Sequence, residues 1–284
     1  MAAVLGTNVA SLWASKNLQS AQSNMANSVE RLSSGLRVNR ARDDAAGLGI
    51  ANSLTQQINT ADQGIRNLND GISIVQTAEG ALSQVSEMAQ RILTLSVQGQ
   101  TSALTTAQKQ SITTEMRSLL NGIDAIETRT KFGSNTSSLF SSAALTVYSS
   151  KESADSVSIT TTALATIGTT TGGLAVTLSA NVATATTAAT VGDFQAIVTS
   201  VSTFINAIST QRGVLGATQN QMEYSINNII ELSANLSSAR SRVVDTDYAA
   251  ETAKLTKGQI LQQAATAMLA QANQMPNVIL SLLK

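Results

Sequence analysis

The chain has 284 residues with a formal net charge of zero, 13% charged and 3% aromatic residues, and no cysteine or histidine. Without cysteine the chain can form no disulfides and carry out no thiol chemistry, and without cysteine and histidine it lacks the ligands of most zinc sites and the commonest general base. Because the net charge is zero, there is no excess of basic charge for binding nucleic acid. No uninterrupted apolar run approaches the ~20 residues that span a bilayer, and the first residues lack the pattern of a secretory signal peptide. We therefore expect no cofactor, no membrane insertion and no cleaved signal.

An amphipathic helix is predicted over roughly residues 4–33. Its apolar residues share one face, and after a shift in phase they are spaced by seven. They are Leu5, Val9 and Leu12, followed by Leu18, Met25 and Leu32. Gly35 follows a run of helix formers and predicts a C-terminal cap. The arginine-rich stretch 36–42 is expected to be an irregular joint, with its arginines either solvated or in contact with acidic groups of another copy.

A long helix is predicted from Asp43 and Asp44, whose carboxylates can accept hydrogen bonds from free backbone N–H groups, to about Val97. A ladder of apolar residues spaced by seven lies within it, and isoleucines follow three of its members after four residues. The ladder is Leu54, Ala61, Leu68, Val75, Leu82 and Ala89, and the isoleucines are Ile58, Ile65 and Ile72. This alternation is typical of a coiled-coil seam. After a break at 99–102, a third helix over about 105–130 is predicted to fold back on the second.

The middle of the chain differs in composition from both ends. From Phe132 onward it is dominated by Thr, Ser, Ala and Gly. Alternating apolar and polar residues predict two short strands, Leu145–Ser149 and Ser156–Thr160. The stretch 162–190 is compatible with thin strands or with a loop, and its sequence does not decide between them.

Two more helices are predicted after the middle. The first runs from Asp193 to about Ser238 and carries all but the last member of a ladder spaced by seven. That ladder is Ile208, Leu215, Met222, Ile229, Leu236 and Val243. A polar joint is predicted at 239–248, and the last helix, from about Ala249, has its own ladder of Leu261, Met268, Met275 and Leu282. Long helices that need partner helices therefore lie at both ends of the chain, a layout that suits a building block better than a catalyst.

Four segments of the sequence resemble the terminal signatures of bacterial flagellin. They are ERLSSGLRVNRARDDAAGLGIAN (Glu30–Asn52), NDGISIVQTAEGAL (Asn69–Leu82), SARSRVVDTDYAAE (Ser238–Glu251) and QILQQAATAMLAQANQMPNVILSLLK (Gln259–Lys284). The resemblance covers roughly residues 1–132 and 193–284 and keeps the order of the family. It does not extend to the middle, where flagellins differ most.

The resemblance implies a mainly α fold, in which long antiparallel coiled-coil helices come from both termini and a small β-hairpin belongs to an outer region. It implies three domains. They are 1–42 with 243–284 as the terminal helical inner domain of the filament core, 43–140 with 191–242 as the long-helix coiled-coil domain, and 141–190 as a short Thr/Ser/Ala-rich outer β/loop region.

The resemblance also implies a function and partners. The protein would be a structural subunit, not an enzyme, that self-assembles into the extracellular helical filament of the bacterial flagellum for swimming motility. It would be exported unfolded without a cleaved signal peptide. Its partners would be other copies of itself, a flagellar export chaperone at the C-terminal helix, and the filament cap and junction proteins.

A further site follows from the same resemblance. Some flagellins are recognised by an innate immune receptor of animals, and the matching positions here are Arg91, Leu95 and Glu115. Leu93 stands where activating members tend to be polar or basic, and Thr94 where they tend to be acidic. The alternative is that these residues make only contacts between subunits in the filament.

Other functions are alternatives to the filament subunit. A hook–filament junction protein would share the terminal architecture, and a secreted coiled-coil adhesin could carry a Thr/Ser-rich middle; strong self-assembly would argue against the adhesin. An enzyme is the weakest alternative, because the acidic residues are scattered along predicted helix surfaces, where nearby Lys or Arg can pair with them.

Overall fold

A computed structural model describes residues 8–131, 139–140, 144–150, 155–161 and 190–282, with side chains up to residue 274. The secondary structure is α1 Val9–Ser34, α2 Ala45–Gly99, α3 Thr106–Arg129, β1 Leu145–Tyr148, β2 Ser156–Ile159, α4 Val191–Val244 and α5 Tyr248–Leu282. The predicted mainly α fold with a small β-hairpin is confirmed. Residues 162–189, in the stretch that the sequence left undecided, lie outside the described residues.

The ends of the first two helices follow from local chemistry. Gly35 adopts a left-handed conformation with φ of 72° and donates its N–H to the carbonyl of Arg31, so the predicted cap is confirmed. Asp44 accepts from the N–H of Gly47 at 2.8 Å and starts α2 as predicted. Asp43 does not, because its carboxylate accepts from the backbone N–H groups of Asn39 and Arg40 and closes the preceding turn. The hydrogen bond from Arg40 is the main reason that the pKa of Asp43 lies below its ordinary value.

Thr190 and Asp193 together cap the N-terminus of α4. The N–H of Asp193 donates to the Thr190 hydroxyl at 3.3 Å, and the carboxylate of Asp193 accepts from the N–H of Thr190 at 2.9 Å. This reciprocal arrangement is a capping box.

The end of α4 corrects the predicted joint at 239–248. The helix continues to Val244, and only residues 245–247 separate it from α5. The segment contains no Gly or Pro to end the helix. Val244 is buried in a small core with Val38 and Ala51, and burial of this kind stabilises the last turn.

The chain divides into two compact units. The terminal unit comprises residues 1–58 and 234–284, and the central unit comprises residues 59–233. The chain passes between the units within α2 and α4. The three domains proposed from the sequence use other boundaries, and they stay a prediction.

The central unit is a core of α2, α3 and α4 with the hairpin. The members of both predicted ladders that lie well inside this unit are fully buried, including Leu68 and Leu82 from α2 and Leu215 from α4. Met116 of α3 joins the same core, so the predicted fold-back of α3 on α2 is confirmed. The second row of the seam is three residues after the ladder, not four. It is Gly64, Gly71, Ala78, Val85 and Ile92, whereas the predicted Ile58, Ile65 and Ile72 are only half-buried.

The hairpin packs on α2 at positions where α2 has no side chain. Strands β1 and β2 are antiparallel with Leu145 opposite Ile159. A Cβ atom at Gly64 would overlap the carbonyl of Ser149, and the amide of Asn67 donates to the carbonyl of Tyr148 at 3.0 Å. Glycine in α2 therefore lets the hairpin backbone approach the helix closely.

The terminal unit joins the two ends of the chain through a short backbone clasp. Leu36 forms a β-bridge with Asp245, and Thr246 donates its N–H to the carbonyl of Gly35 at 2.9 Å. The arginines of the joint bond within the same chain, with Arg40 at 2.7 Å from Glu30. Among the described helices, none combines the length and the hydropathy that a membrane span requires.

Candidate functional site

The terminal helix pair, α1 with α5, is held together by small side chains. The seam residues of α1 that are buried are Ala21 and Ser28, and those of α5 include Gly258 and Ala272. A Cβ atom at Gly258 would lie 3.5 Å from that of Met25, which is ordinary van der Waals contact. The two helices therefore pack closely on a seam that buries few large side chains.

Several large apolar side chains of the pair lie on its outer surface instead. The most exposed are Met268 at 66%, Leu12 and Ile260 at 61% and Trp13 at 59% of their accessible area. The others include Val9, Val29 and Leu261. Such a concentration of exposed apolar residues marks an interaction surface.

The structure divides the predicted terminal ladders into two groups. Leu18, Met25 and Leu32 are half-buried in the seam, and Val9, Leu12, Leu261 and Met268 are exposed. Leu5 and the side chains of Met275 and Leu282 lie outside the described part of the chain.

A groove of about 560 Å³ runs between α1 and α5 along this surface. All of its lining residues are uncharged. They include Ala10, Trp13, Asn17, Leu261, Ala264 and Met268. Trp13 was not predicted as a site residue; it is the only tryptophan of the chain, and its place next to Leu12 was the available signal. The ammonium of Lys16 lies 5.3 Å from the centre of its ring, within the range of a cation–π interaction.

One buried carboxylate crosses the seam. Glu251 is 4% exposed and accepts a hydrogen bond from the hydroxyl of Ser28 at 2.7 Å and from the ammonium of Lys254 at 3.0 Å. Arg31 lies 4.0 Å away. Burial alone would raise the pKa of Glu251, but the hydrogen bonds and the two cations outweigh it, so the pKa lies below its ordinary value. Glu251 is therefore ionised at neutral pH.

The receptor candidates occupy different environments. Arg91 of α2 forms an ion pair with Glu115 of α3 at 2.7 Å, and the two side chains are 53% and 47% exposed. Leu95 is 2% exposed and belongs to the core of the central unit. Leu95 is therefore not part of the exposed surface around Arg91, because it follows Ile92 along the buried seam. The assignment of Arg91, Leu95 and Glu115 to a receptor site stays a prediction.

Within the described residues, no group of three acidic, His or Cys side chains is placed to hold a metal ion.

Two family models match most of the chain. The bacterial flagellin N-terminal helical region matches residues 5–144, and the bacterial flagellin C-terminal helical region matches residues 198–283.

Full-length relatives agree with these matches. The chain is 37% identical to a flagellin of Halalkalibacterium halodurans over 99% of this chain and 100% of the relative. It is 38% identical to a flagellin of Bacillus subtilis over 98% of each. It is 31% identical to flagellin B of Vibrio anguillarum over the full length of both. Among solved structures, the Bacillus cereus flagellin aligns with a TM-score of 0.47 and 20% identity over 62% of this chain and 94% of that one.

Long helices at both ends and an apolar outer surface on the terminal pair are features of a structural protein that assembles through helix packing. The chain belongs to the bacterial flagellin family. Its function is that of a structural subunit of the extracellular flagellar filament, as the sequence indicated, in preference to a junction protein or an adhesin.

Proposed function

We propose that copies of this chain bind one another in the filament through the outer surface of the terminal helix pair. The observation that carries this proposal is the exposure of Leu12, Trp13, Leu261 and Met268 on one pair of helices. Burying apolar area contributes about 25 cal/mol per Å², so contact with another copy would stabilise the assembly substantially. On this proposal the role of the chain is structural, without catalysis or cofactor, and the terminal regions 1–42 and 243–284 form the filament core.

The charge of the surface favours a partner of the same kind. The groove between α1 and α5 is lined only by uncharged residues, and the whole chain has a formal net charge of zero. Electrostatic repulsion between identical copies is therefore small.

Leu12→Asp and Met268→Asp test this proposal. Both residues are mainly exposed in the single chain, so their replacement should leave its helix content unchanged. In the filament each aspartate would be buried without a partner, which is strongly unfavourable. We expect each change to lower filament yield in seeded elongation at least tenfold, measured by sedimentation and electron microscopy.

The matched controls keep the size and the apolar character of the same positions. Leu12→Met and Met268→Leu should elongate at rates close to that of the unchanged chain. Normal elongation of both aspartate variants would remove the terminal pair from the contact between copies.

We propose the same helices as the site of the remaining flagellar partners. The chain would be exported unfolded and without a cleaved signal, so α5 would be free to bind an export chaperone before export. Such a chaperone would cover the exposed apolar residues of α5, which include Ile260, Leu261 and Met268. A chaperone on this face would also hinder premature assembly. Contacts with the filament cap and junction proteins would use the same terminal surface.

We also retain an animal innate immune receptor as a second partner, at Arg91 and Glu115. An exposed arginine held in place by a carboxylate on the next helix is a suitable anchor for a protein partner. Leu95 would support the site only through packing, because it is buried.

Arg91→Ala should weaken binding of the soluble chain to the receptor ectodomain at least tenfold, which corresponds to about 1.4 kcal/mol. Arg117→Ala, at another exposed arginine of the same region, is the matched control and should bind as the unchanged chain does. Filament yield is measured in parallel, since subunit contacts on the same face would also be lost. Equal affinity of the two alanine variants would remove Arg91 from the site, and undetectable binding of the unchanged chain would refute the receptor assignment.

A further inference from the structure

The methionines of this chain lie in very different environments. Those whose side chains the structure describes are Met25, Met88, Met116, Met222 and Met268. Met116 and Met222 are 0% exposed in the core of the central unit, and Met25 and Met88 are half-buried. Met268 is 66% exposed on the outer surface of α5. Among these methionines, only Met268 presents most of its side chain to a reagent in solution.

The sequence around Met268 explains its exposure. The residues about one turn away on α5 include Ala264, Ala265 and Ala272, whose side chains are too short to cover a thioether. Met268 lines the groove between α1 and α5 together with Trp13. Every α5 residue that lines this groove is apolar, and the polar lining residues belong to α1. Met268 therefore extends past its neighbours along the helix, within an apolar part of the surface.

We propose that Met268 is a site of oxidation in the unassembled subunit, and that its sulfoxide prevents the subunit from joining the filament. The oxidant is hydrogen peroxide. The thioether sulfur forms a bond to one peroxide oxygen, the O–O bond breaks, and the proton on the transferred oxygen passes to the departing hydroxide. The sulfur is thereby oxidised to the sulfoxide, and the peroxide is reduced to water. The block of assembly rests on the function proposed above, whereas the selective oxidation of Met268 does not.

The polarity of the sulfoxide explains the block of assembly. Oxidation converts a flexible apolar side chain into a polar one and is known to disrupt methionine-containing interfaces. A second copy that covers this surface would remove water from the sulfoxide oxygen, and burial of a polar group without a hydrogen bond is unfavourable. Because Met268 is mainly exposed in the single chain, the same oxidation should leave the fold of the subunit intact.

The rate of oxidation at each methionine tests the site. The full-length soluble chain and seeded filaments are treated with hydrogen peroxide, and the sulfoxide at each methionine is quantified over time by peptide mass spectrometry. In the soluble chain we expect Met268 to be oxidised at least tenfold faster than Met116 and Met222, which are buried. In filaments we expect the rate at Met268 to fall at least tenfold, because another copy covers it. Equal rates at Met268 and Met116 in the soluble chain would overturn the proposal.

Seeded elongation measures the effect of the oxidation on assembly. Each chain is treated with peroxide until most of Met268 in the unchanged chain is sulfoxide, and its elongation is compared with that of an untreated sample of the same chain. Elongation of the unchanged chain should fall at least tenfold, with helix content unchanged. Met268→Leu lacks the thioether, so the same treatment should lower its elongation only slightly. Met275→Leu, at the next ladder position, is the matched control and should stay as sensitive to peroxide as the unchanged chain.

Reduction of the sulfoxide provides a further check. Methionine sulfoxide reductases for both epimers should restore elongation of the treated chain. Two results would overturn the block of assembly, namely full elongation of a chain whose Met268 is sulfoxide and equal peroxide sensitivity of Met268→Leu and the unchanged chain. Failure of the proposed assembly surface would give a different pattern. Leu12→Asp and Met268→Asp would elongate normally and Met268 would be oxidised equally fast in filaments, while its selective oxidation in the soluble chain would remain.

Discussion

Leu68→Asp should abolish the cooperative unfolding of the central unit. Leu68 is 0% exposed and lies in the core that α2, α3, α4 and the hairpin share. Truncating a buried leucine commonly costs about 2–5 kcal/mol, and a buried charge without a partner should cost at least as much. Because whole domains are stable by only about 5–15 kcal/mol, this one change should remove most of the stability. Thermal melting followed by circular dichroism measures the effect.

The matched control places the same charge on the outer face of the same helix. Thr77→Asp changes an exposed residue of α2, so it should shift the midpoint little. Ile229→Asp should fall between the two, because Ile229 is half-buried where the seam of α4 leaves the central core. Substitutions in 165–189 should leave the melting of the central unit nearly unchanged. If those substitutions and Leu68→Asp had equal effects, the division into a core and an outer region would be wrong.

The spacing of apolar residues predicted the helices and the main seam, because a repeat of seven is common to coiled coils. It misassigned the second row of buried positions in α2, because the large isoleucines at 65 and 72 suggested that those two positions are buried. The buried positions are Gly64 and Gly71. The hairpin lies against these glycines and buries them. A pattern of apolar side chains cannot reveal burial of this kind.

The terminal ladders were harder to interpret for a related reason. The sequence of α5 contains two parallel stripes, one of large residues such as Leu261 and Met268 and one of small residues such as Gly258 and Ala265. The structure buries the small stripe within the pair and exposes the large one. Periodicity locates both stripes, but only the observed pairing shows which one is left for another molecule.

Two site assignments depended on contacts across the chain. Leu95 could not be placed in the core without knowing that residues of α3 and α4 form one core with this part of α2. Ser28 and Glu251 were not singled out, because neither residue is unusual until they face each other across 223 positions of sequence. Ser28 stands three residues after Met25, a member of the predicted ladder, and this spacing was the only available signal.

Removing residues 1–30 should abolish filament elongation while leaving a folded, soluble chain. The deletion removes most of α1, and with it the exposed Leu12 and Trp13 and the partner of α5. The core of the central unit should survive, because its buried residues all lie between Leu68 and Met222. We expect no detectable filaments after seeding and an unchanged melting midpoint for the central unit. Removing residues 255–284, which takes away most of α5, should give the same result.

The two deletions also separate the two roles assigned to the terminal pair. If α1 and α5 contributed only to folding of the single chain, each truncated chain would lose stability and solubility together with assembly. The exposed apolar residues of the pair make few contacts within the chain. Removing one helix should therefore abolish assembly and leave the stability and solubility of the single chain largely unchanged. The partner helix left behind would expose its seam to solvent. The fully buried residues of that seam are small, such as Ala21 and Gly258, and the larger Leu18, Met25 and Leu32 are already partly exposed. Little additional apolar area is therefore uncovered, so solubility should persist. Filaments of normal length from either truncated chain, seen by electron microscopy, would show that copies of this protein assemble through some other surface.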